Sequence, residues 1–212
     1  MINQSKACSG DVILAKNVNV DEHNLPALYM LWREKPLARS AVLPVPAEYT
    51  LRSYVEGDDN QLRSLLEIDG ESMTQNEWQK YKDKVLPEGL FVIIHDNSKS
   101  LVATAGAAHN PNPGRYYFPF GGELGYLIVH PEHRGKRLGR IVCAQVVQRF
   151  LSAGYGSIRV AVLGWRYAAI KTYLRVGFEP FIHDRTLLTR WKRICKEIDW
   201  QYTPDDWPQP LN

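Results

Sequence analysis

The sequence predicts an α/β fold of the mixed (α+β) kind, with helices on both faces of a mostly antiparallel central sheet. Three observations carry that prediction. The apolar periodicities order the chain as strand, two helices, three strands, helix, strand, helix, strand. The central strands read as a meander built on the Leu90–Ala107 hairpin, so the sheet is not all parallel. The later strand–helix–strand units require parallel neighbours, which makes the sheet mixed.

The first core strand is Tyr49–Val55, which alternates at period two. Gly57, Asp58 and Asp59 end it, and Gln61–Ile68 then places Leu62, Leu65, Leu66 and Ile68 mainly on one helical face. Thr74, with Glu77 three residues on, forms a capping box for a helix over Gln75–Val85, stopped by Pro87-Glu88-Gly89. Leu90–His95 and Leu101–Ala107 flank an Asp96-Asn97-Ser98 turn and read as a hairpin. A strand over Glu123–Val129 follows, then Pro131, a basic turn and a helix over Leu138–Ala153. Ser157–Leu163 is a strand, Arg166–Val176 a helix closed by Gly177, and Phe178–Ile182 the last core strand. Outside this core, which spans 48–182, residues 1–47 form an N-terminal extension. It holds an optional extra strand, Leu28–Arg33, and a linker rich in proline (Pro36, Pro44, Pro46). Residues 183–212 provide a helix over Thr186–Ile198 and a tail that proline keeps extended or poorly ordered from Tyr202 on.

Composition narrows the function classes. In 212 residues, 44% are hydrophobic and 23% charged, enough for one well-formed core rather than a disordered chain. A net charge of +3 is too small for general nucleic-acid affinity, so local charge placement matters more than the total. Cys8, Cys143 and Cys195 lack metal-ligand spacing, and no metal is expected. Their odd number fits a reducing compartment. Residues 1–20 hold no apolar run, and no stretch approaches the ~18 apolar residues of a membrane span. The expectation is a cytoplasmic domain without membrane or nucleic-acid partners.

The stretch Gly122–Gly139 carries the functional signal. A strand ends at a proline, and a turn with Arg134, Lys136 and Arg137 opens a helix. Exposed backbone N–H groups at a helix start, with cations beside them, make a seat for phosphate. The bland alternative is a solvated basic turn.

These residues resemble the GNAT superfamily of acetyl-CoA-dependent N-acetyltransferases. The resemblance rests on Val129-His130-Pro131-x-x-Arg134-Gly135-x-x-x-Gly139. A second element, Ala169-Ile170-x-x-Tyr173-x-x-x-Gly177-Phe178, stands thirty-odd residues on. It implies two parallel strands, Glu123–Val129 and Ser157–Leu163, that splay apart at the centre of the sheet. Acetyl-CoA, as co-substrate, would lay its pantetheine arm along Leu127, Ile128 and Val129, as an added strand does. Its pyrophosphate would take the N–H groups of Arg134, Gly135, Lys136, Arg137, Leu138, Gly139 and Arg140. The family favours glycine where this chain has Arg137, whose side chain removes backbone freedom. Near Arg166 the family often has asparagine, and an arginine cannot accept a hydrogen bond. Family members also commonly end in a strand hairpin, where this chain reads as a helix.

Acetylation of an amine by direct attack needs a neutral amine, a stabilised oxyanion and a protonated leaving thiolate. Tyr173 matches the family's helix tyrosine and is the candidate general acid, as well as a cofactor contact; its alternative is a packed core tyrosine. Glu123, at the start of the strand, is the candidate base, direct or through water, against the alternative of an idle carboxylate. Alternation places it on one face with Gly125, Leu127 and Val129, opposite Tyr126, Ile128 and His130. His130 reads as surface, and Cys143 as core. The Val129 N–H is the candidate oxyanion donor. Tyr116–Phe120 walls the acceptor site or packs under a loop.

The implied activity is acetyl transfer to a primary amine of a small-molecule or peptide acceptor in a ternary complex. A non-catalytic acyl-CoA-binding sensor is the alternative from another class. Nucleic-acid binding through the basic turn lacks an aromatic stacking platform. Apolar strands and Trp191 leave room for a homodimer.

Overall fold

A computed structural model of the chain describes residues 22–33, 43–70, 72–111 and 121–209. It holds one mixed seven-stranded sheet in the order β2-β3-β4-β5-β6-β1-β7. The strands are β1 (Leu28–Arg33), β2 (Tyr49–Ser53), β3 (Val85–His95), β4 (Ser100–His109), β5 (Gly121–Val129), β6 (Ser157–Val162) and β7 (Glu179–Pro180). The helices are α1 (Asp59–Ile68), α2 (Gln75–Lys82), α3 (Leu138–Ser152), α4 (Tyr167–Val176) and α5 (Thr186–Glu197). The predicted mixed architecture is therefore the observed one.

Each face of the sheet has its own core. On one, Leu62, Leu65 and Leu66 of α1 and Trp78 of α2 pack on Val92 and Ile128. On the other, α3, α4 and α5 bury Val142, Val146, Phe150, Ile170 and Trp191 against Ile158 and Leu124. Burying a leucine of this kind contributes about 2 kcal/mol, which is why the narrow apolar faces of short helices suffice. The Thr74–Glu77 capping box forms as the sequence implies, with the Thr74 N–H donating to the Glu77 carboxylate at 2.9 Å. α4 ends on Gly177 in the left-handed region (φ 113°).

Several boundaries differ from those the sequence suggests. α2 stops at Lys82 rather than Val85, because Val85 already pairs with Ala108 in the sheet. β3 then runs through Pro87-Glu88-Gly89, predicted as the stop. The ladder tolerates the proline because its register is interrupted between Val85 and Leu90, where no N–H from Pro87 is needed. Leu28–Arg33, expected as an optional strand of an extension, lies inside the sheet. It pairs along the whole of β6 and touches β7 at Met30 and Leu31. The tail from Tyr202 is packed as far as residue 209. Trp207 is buried with its ring centroid 6.0 Å from that of Trp191, and the Ile182 N–H donates to the Pro208 carbonyl at 2.9 Å. Trp191 is thus a core residue of this chain and no argument for a homodimer.

β5 and β6 form the one parallel pair, and it is short. Gly121, Gly122 and Glu123 face Ser157, Ile158 and Arg159, and the pairing ends there. Beyond Glu123 no strand among the described residues pairs with the cleft-side edge of β5. β5 is also bulged: Thr104 faces Ile128 but Gly106 faces Gly125, so two residues of β5 oppose one of β4. Tyr126 at the bulge has φ of 49°.

Candidate functional site

The bulge corrects the expected facing of β5. Period-two alternation puts Glu123 with Leu127 and Val129, but the extra residue swaps the faces partway along the strand. Gly125, Tyr126 and Ile128 turn to the α1–α2 side, where Tyr81 and Trp78 lie. Leu124, Leu127 and Val129 turn to the α3–α4 side. Alternation of backbone groups resumes after the bulge. The His130 N–H donates to Val102 of β4 at 2.8 Å, so the N–H groups of Leu127 and Val129 point into the cleft.

Two cavities meet at this cleft. The first, of about 690 Å³, is lined by Leu127, Ile128, Val129, Arg134, Gly135, Arg137, Leu138, Gly139 and Arg140, together with Trp165, Arg166 and Tyr167. Most of the sequence-predicted cofactor residues therefore come together in one place. Lys136 does not line the cavity; its ammonium lies 3.6 Å from the Glu48 carboxylate and over the Tyr49 ring. The second cavity, of about 570 Å³, holds Glu123, Tyr173, Tyr81 and the cleft-side residues of β6. Tyr173 thus stands on this second cavity rather than on the first. Asp69, Leu127, Ile128, Arg166 and Ala169 border both.

The turn before α3 has the features of an anion seat. The N–H groups of Gly135, Lys136, Arg137, Leu138 and Gly139 have no backbone acceptor among the described residues. They stand at the N-terminus of a 15-residue helix, where the dipole favours negative charge. Gly139 lies so close to β5 that a Cβ there would sit 3.3 Å from Val129. Arg137, the departure from glycine, adopts the left-handed conformation itself (φ 66°) as N-cap of α3. The backbone keeps the geometry that glycine gives, at a strain cost of about 1 kcal/mol, and the side chain adds a cation to the cavity wall. These residues fit a diphosphate.

Charge pairs organise the junction of the two cavities. Arg134 reaches back to the Val129 carbonyl through Nε at 3.1 Å and to Asp69 at 3.4 Å. Arg166 pairs with the same Asp69 and lies 5.0 Å from the Trp165 ring centre. The asparagine-position arginine therefore meets a carboxylate at the C-terminal cap of α1, a partner that no local sequence pattern discloses.

At the vertex of the splay, the Arg159 guanidinium donates to Glu123 Oε2 at 2.7 Å. Asn110 donates to the same oxygen, and Arg159 also caps the Asn110 carbonyl. Arg159 is almost fully buried, at 2% side-chain exposure. It read as an ordinary strand residue in the sequence; a lone charge amid Ser157–Leu163 was its only signal.

Tyr173 is 5% exposed, packed edge-on to Phe178 at 5.7 Å. Burial pushes its phenol well above the usual tyrosine value, and Cys143 adds to that rise while Arg166 opposes it. Cys143 is fully buried, with its thiol likewise pushed up by burial, as a core residue should be. His130 sits at the head of the 3-10 turn Pro131–His133, half-buried. Trp165 and Tyr167 both face the first cavity. Tyr116–Phe120 lie outside the described residues. Among the described residues, no group of three potential ligands could hold a metal, and no helix is long and apolar enough to cross a membrane.

The splayed parallel pair, the bulged strand and the anion seat at the α3 N-terminus define a mixed α/β domain with a cleft opened at the centre of its sheet. The chain belongs to the acetyltransferase (GNAT) family, whose model matches residues 58–178. It is 29% identical over 105 residues to an uncharacterised N-acetyltransferase of Schizosaccharomyces pombe, covering 46% of this chain and 58% of that protein. It is 27% identical over 167 residues to the mycothiol acetyltransferase of Rhodococcus jostii, covering 73% and 54%. The chain thus spans a little over half the length of these curated relatives. Among solved structures, a GCN5-related N-acetyltransferase from Sphaerobacter thermophilus superposes with a TM-score of 0.59 at 18% identity, over 74% of this chain and 49% of that one. At that identity the likeness supports the fold.

Proposed function

We propose that this chain is an N-acetyltransferase that moves an acetyl group from acetyl-CoA to a primary amine by direct attack in a ternary complex. The observation that carries this reading is the splay. Pairing of β5 with β6 stops at Glu123, and the freed edge of β5 connects the cavity with the anion seat to a second cavity holding ionisable side chains.

Acetyl-CoA supplies the activated acetyl thioester. The N–H groups of the Gly135–Gly139 turn would hold its pyrophosphate, with Arg137 and Arg140 beside them. The cleft-facing N–H groups of Leu127 and Val129 would bind the pantetheine amides as a neighbouring strand would. The Val129 N–H also suits the role of donor to the thioester oxygen. Tyr173 holds a proton on its phenol across the working pH range, because burial disfavours the phenolate, and it would deliver that proton to the leaving sulfur. Glu123 would receive the proton of the acceptor amine through water. Both of its hydrogen bonds among the described residues fall on Oε2.

The test is acetyl-CoA consumption against a panel of small amines, aminoglycosides and peptides, preceded by thermal shift with acetyl-CoA and with ATP. Stabilisation by acetyl-CoA together with turnover of at least one amine supports the reading. Stabilisation by ATP alone rejects it. Acetyl-CoA binding with no acceptor turned over, unaltered in Glu123→Gln and Tyr173→Phe, would favour a non-catalytic acyl-CoA sensor instead.

A further inference from the structure

We propose that His133, backed by Tyr49, His95 and His130, forms a phosphomonoester subsite beside the pyrophosphate turn, and that it takes the 3′-phosphate of the coenzyme's adenosine. This rests on the acetyl-CoA reading above and adds to it a contact that the basic turn does not provide.

His133 ends the 3-10 turn Pro131–His133 and lines the first cavity next to Arg134 and Gly135. It is the centre of a cluster of rings drawn from three parts of the chain. The His95 ring from β3 lies 4.9 Å away, the His130 ring 5.7 Å and the Tyr49 ring from β2 5.8 Å. The Tyr49 hydroxyl is 2.9 Å from Nδ1 of His133. That contact fixes which nitrogen is left for a ligand. When the phenol donates to Nδ1, the neutral imidazole carries its proton on Nε2. When the ring is protonated, both nitrogens carry one. In both of these states Nε2 is a donor, as a phosphate oxygen requires, and a bound phosphate selects them over the neutral tautomer whose Nδ1–H donates to the Tyr49 oxygen.

The surroundings make this donor responsive to an anion. Lys136 lies over the Tyr49 ring at 5.3 Å, and its charge is partly met by Glu48 at 3.6 Å. Glu132 stands next in the chain, its N–H directed to His130 Nδ1 at 3.4 Å, and His95 is engaged with the Ser98 hydroxyl at 2.8 Å. Partial burial holds His133 below the usual histidine value, helped by His95, Lys136 and His130 and opposed by Glu132. Burial and the neighbouring His95, Lys136 and His130 thus disfavour a charge on His133. A dianionic phosphate arriving beside Nε2 reverses that balance, so binding draws in a proton. The sign follows: the added affinity is present at lower pH and lost as pH rises through the histidine's value in the complex.

The experiment compares CoA with dephospho-CoA, which share the pyrophosphate and differ by the 3′-phosphate alone. Isothermal titration calorimetry would be run on the intact chain and on His133→Gln between about pH 6.5 and about pH 8.5, where the phosphomonoester stays mainly dianionic. Hepes and Tris at each pH count the protons exchanged. The expected result is that CoA binds about tenfold tighter than dephospho-CoA near the lower pH and that the gap closes toward the upper. Net proton uptake should accompany CoA only. In His133→Gln both the gap and the uptake should vanish while dephospho-CoA still binds. Equal affinities at every pH would overturn the subsite and leave the acetyl-CoA reading standing. A gap that ignores pH, or survives in His133→Gln, would hand the phosphate to the arginines and overturn the histidine assignment. Failure of both ligands to bind would remove the acetyl-CoA reading and this subsite together.

Discussion

Tyr173 and Glu123 face the same cavity, and their surroundings suit the proposed roles of acid and base in different ways. Burial is the largest cause that keeps the Tyr173 phenol protonated, with Cys143 and Asp69 adding to it and Arg166 opposing it. Glu123 is oriented by two donors at the vertex of the sheet. Tyr173→Phe is expected to lower kcat by about 10²-fold, the usual worth of a general acid, with the affinity for acetyl-CoA unchanged, because the ring stays packed on Phe178. Because its pKa lies above the usual tyrosine value, no alkaline loss of activity should arise from Tyr173 below about pH 10. A kcat–pH profile of both proteins checks this. The resemblance to the family's motif positions singled out both residues in the sequence, and the structure sets both on one cavity. Their partners were not legible there. Arg159 and Asp69 reach the site from distant elements, and a pairing that depends on tertiary closure leaves no local pattern.

Among the elements, β5 is the one whose detail decides the site, and its bulge is held by a neighbour. Tyr81 of α2 lays its buried hydroxyl, without a hydrogen-bond partner among the described residues, over Gly106 and Gly125, which pair across β4 and β5. A Cβ on Gly106 would collide with that hydroxyl, and one on Gly125 would lie 2.9 Å from it. The Tyr126 ring packs edge-on to Tyr81 at 4.6 Å. Gly106→Ala is expected to destabilise the fold by about 2 kcal/mol through overpacking. Adding Tyr81→Phe removes the colliding oxygen, so the double variant should recover most of the loss. Urea denaturation of the singles and the double checks it, and simple additivity would refute the contact. The sequence shows the glycines but not their alignment, since a bulge shifts register without changing composition. The same shift explains why alternation set Glu123 on the wrong face relative to Leu127 and Val129, although the limits of the strand itself were readable.

At the scale of the whole molecule, the chain closes on itself. β1 lies between β6 and β7, and the residues before it are tied to α5 through buried Glu22, which accepts from Arg190 at 2.8 Å and from Arg193. A chain lacking residues 1–33 would expose an edge of β6 and strip Leu28, Met30 and Trp32 from the core. It is expected to lose cooperative unfolding altogether, as followed by circular dichroism through a thermal ramp, because three large buried side chains outweigh ordinary domain stability. The apolar run was legible as a strand. Its place was not, because a six-residue segment can add to either edge of a sheet or between two strands, and only the whole topology decides. That placement has a consequence for the order of synthesis. β1 emerges from the ribosome early, yet Arg33 meets Glu179 146 positions later. Until β6 has been made, Leu-Tyr-Met-Leu-Trp lacks the strand it pairs with along its whole length. The same segment that completes the sheet is therefore apolar surface open to aggregation, and slowing translation ahead of β6 should lengthen its exposure.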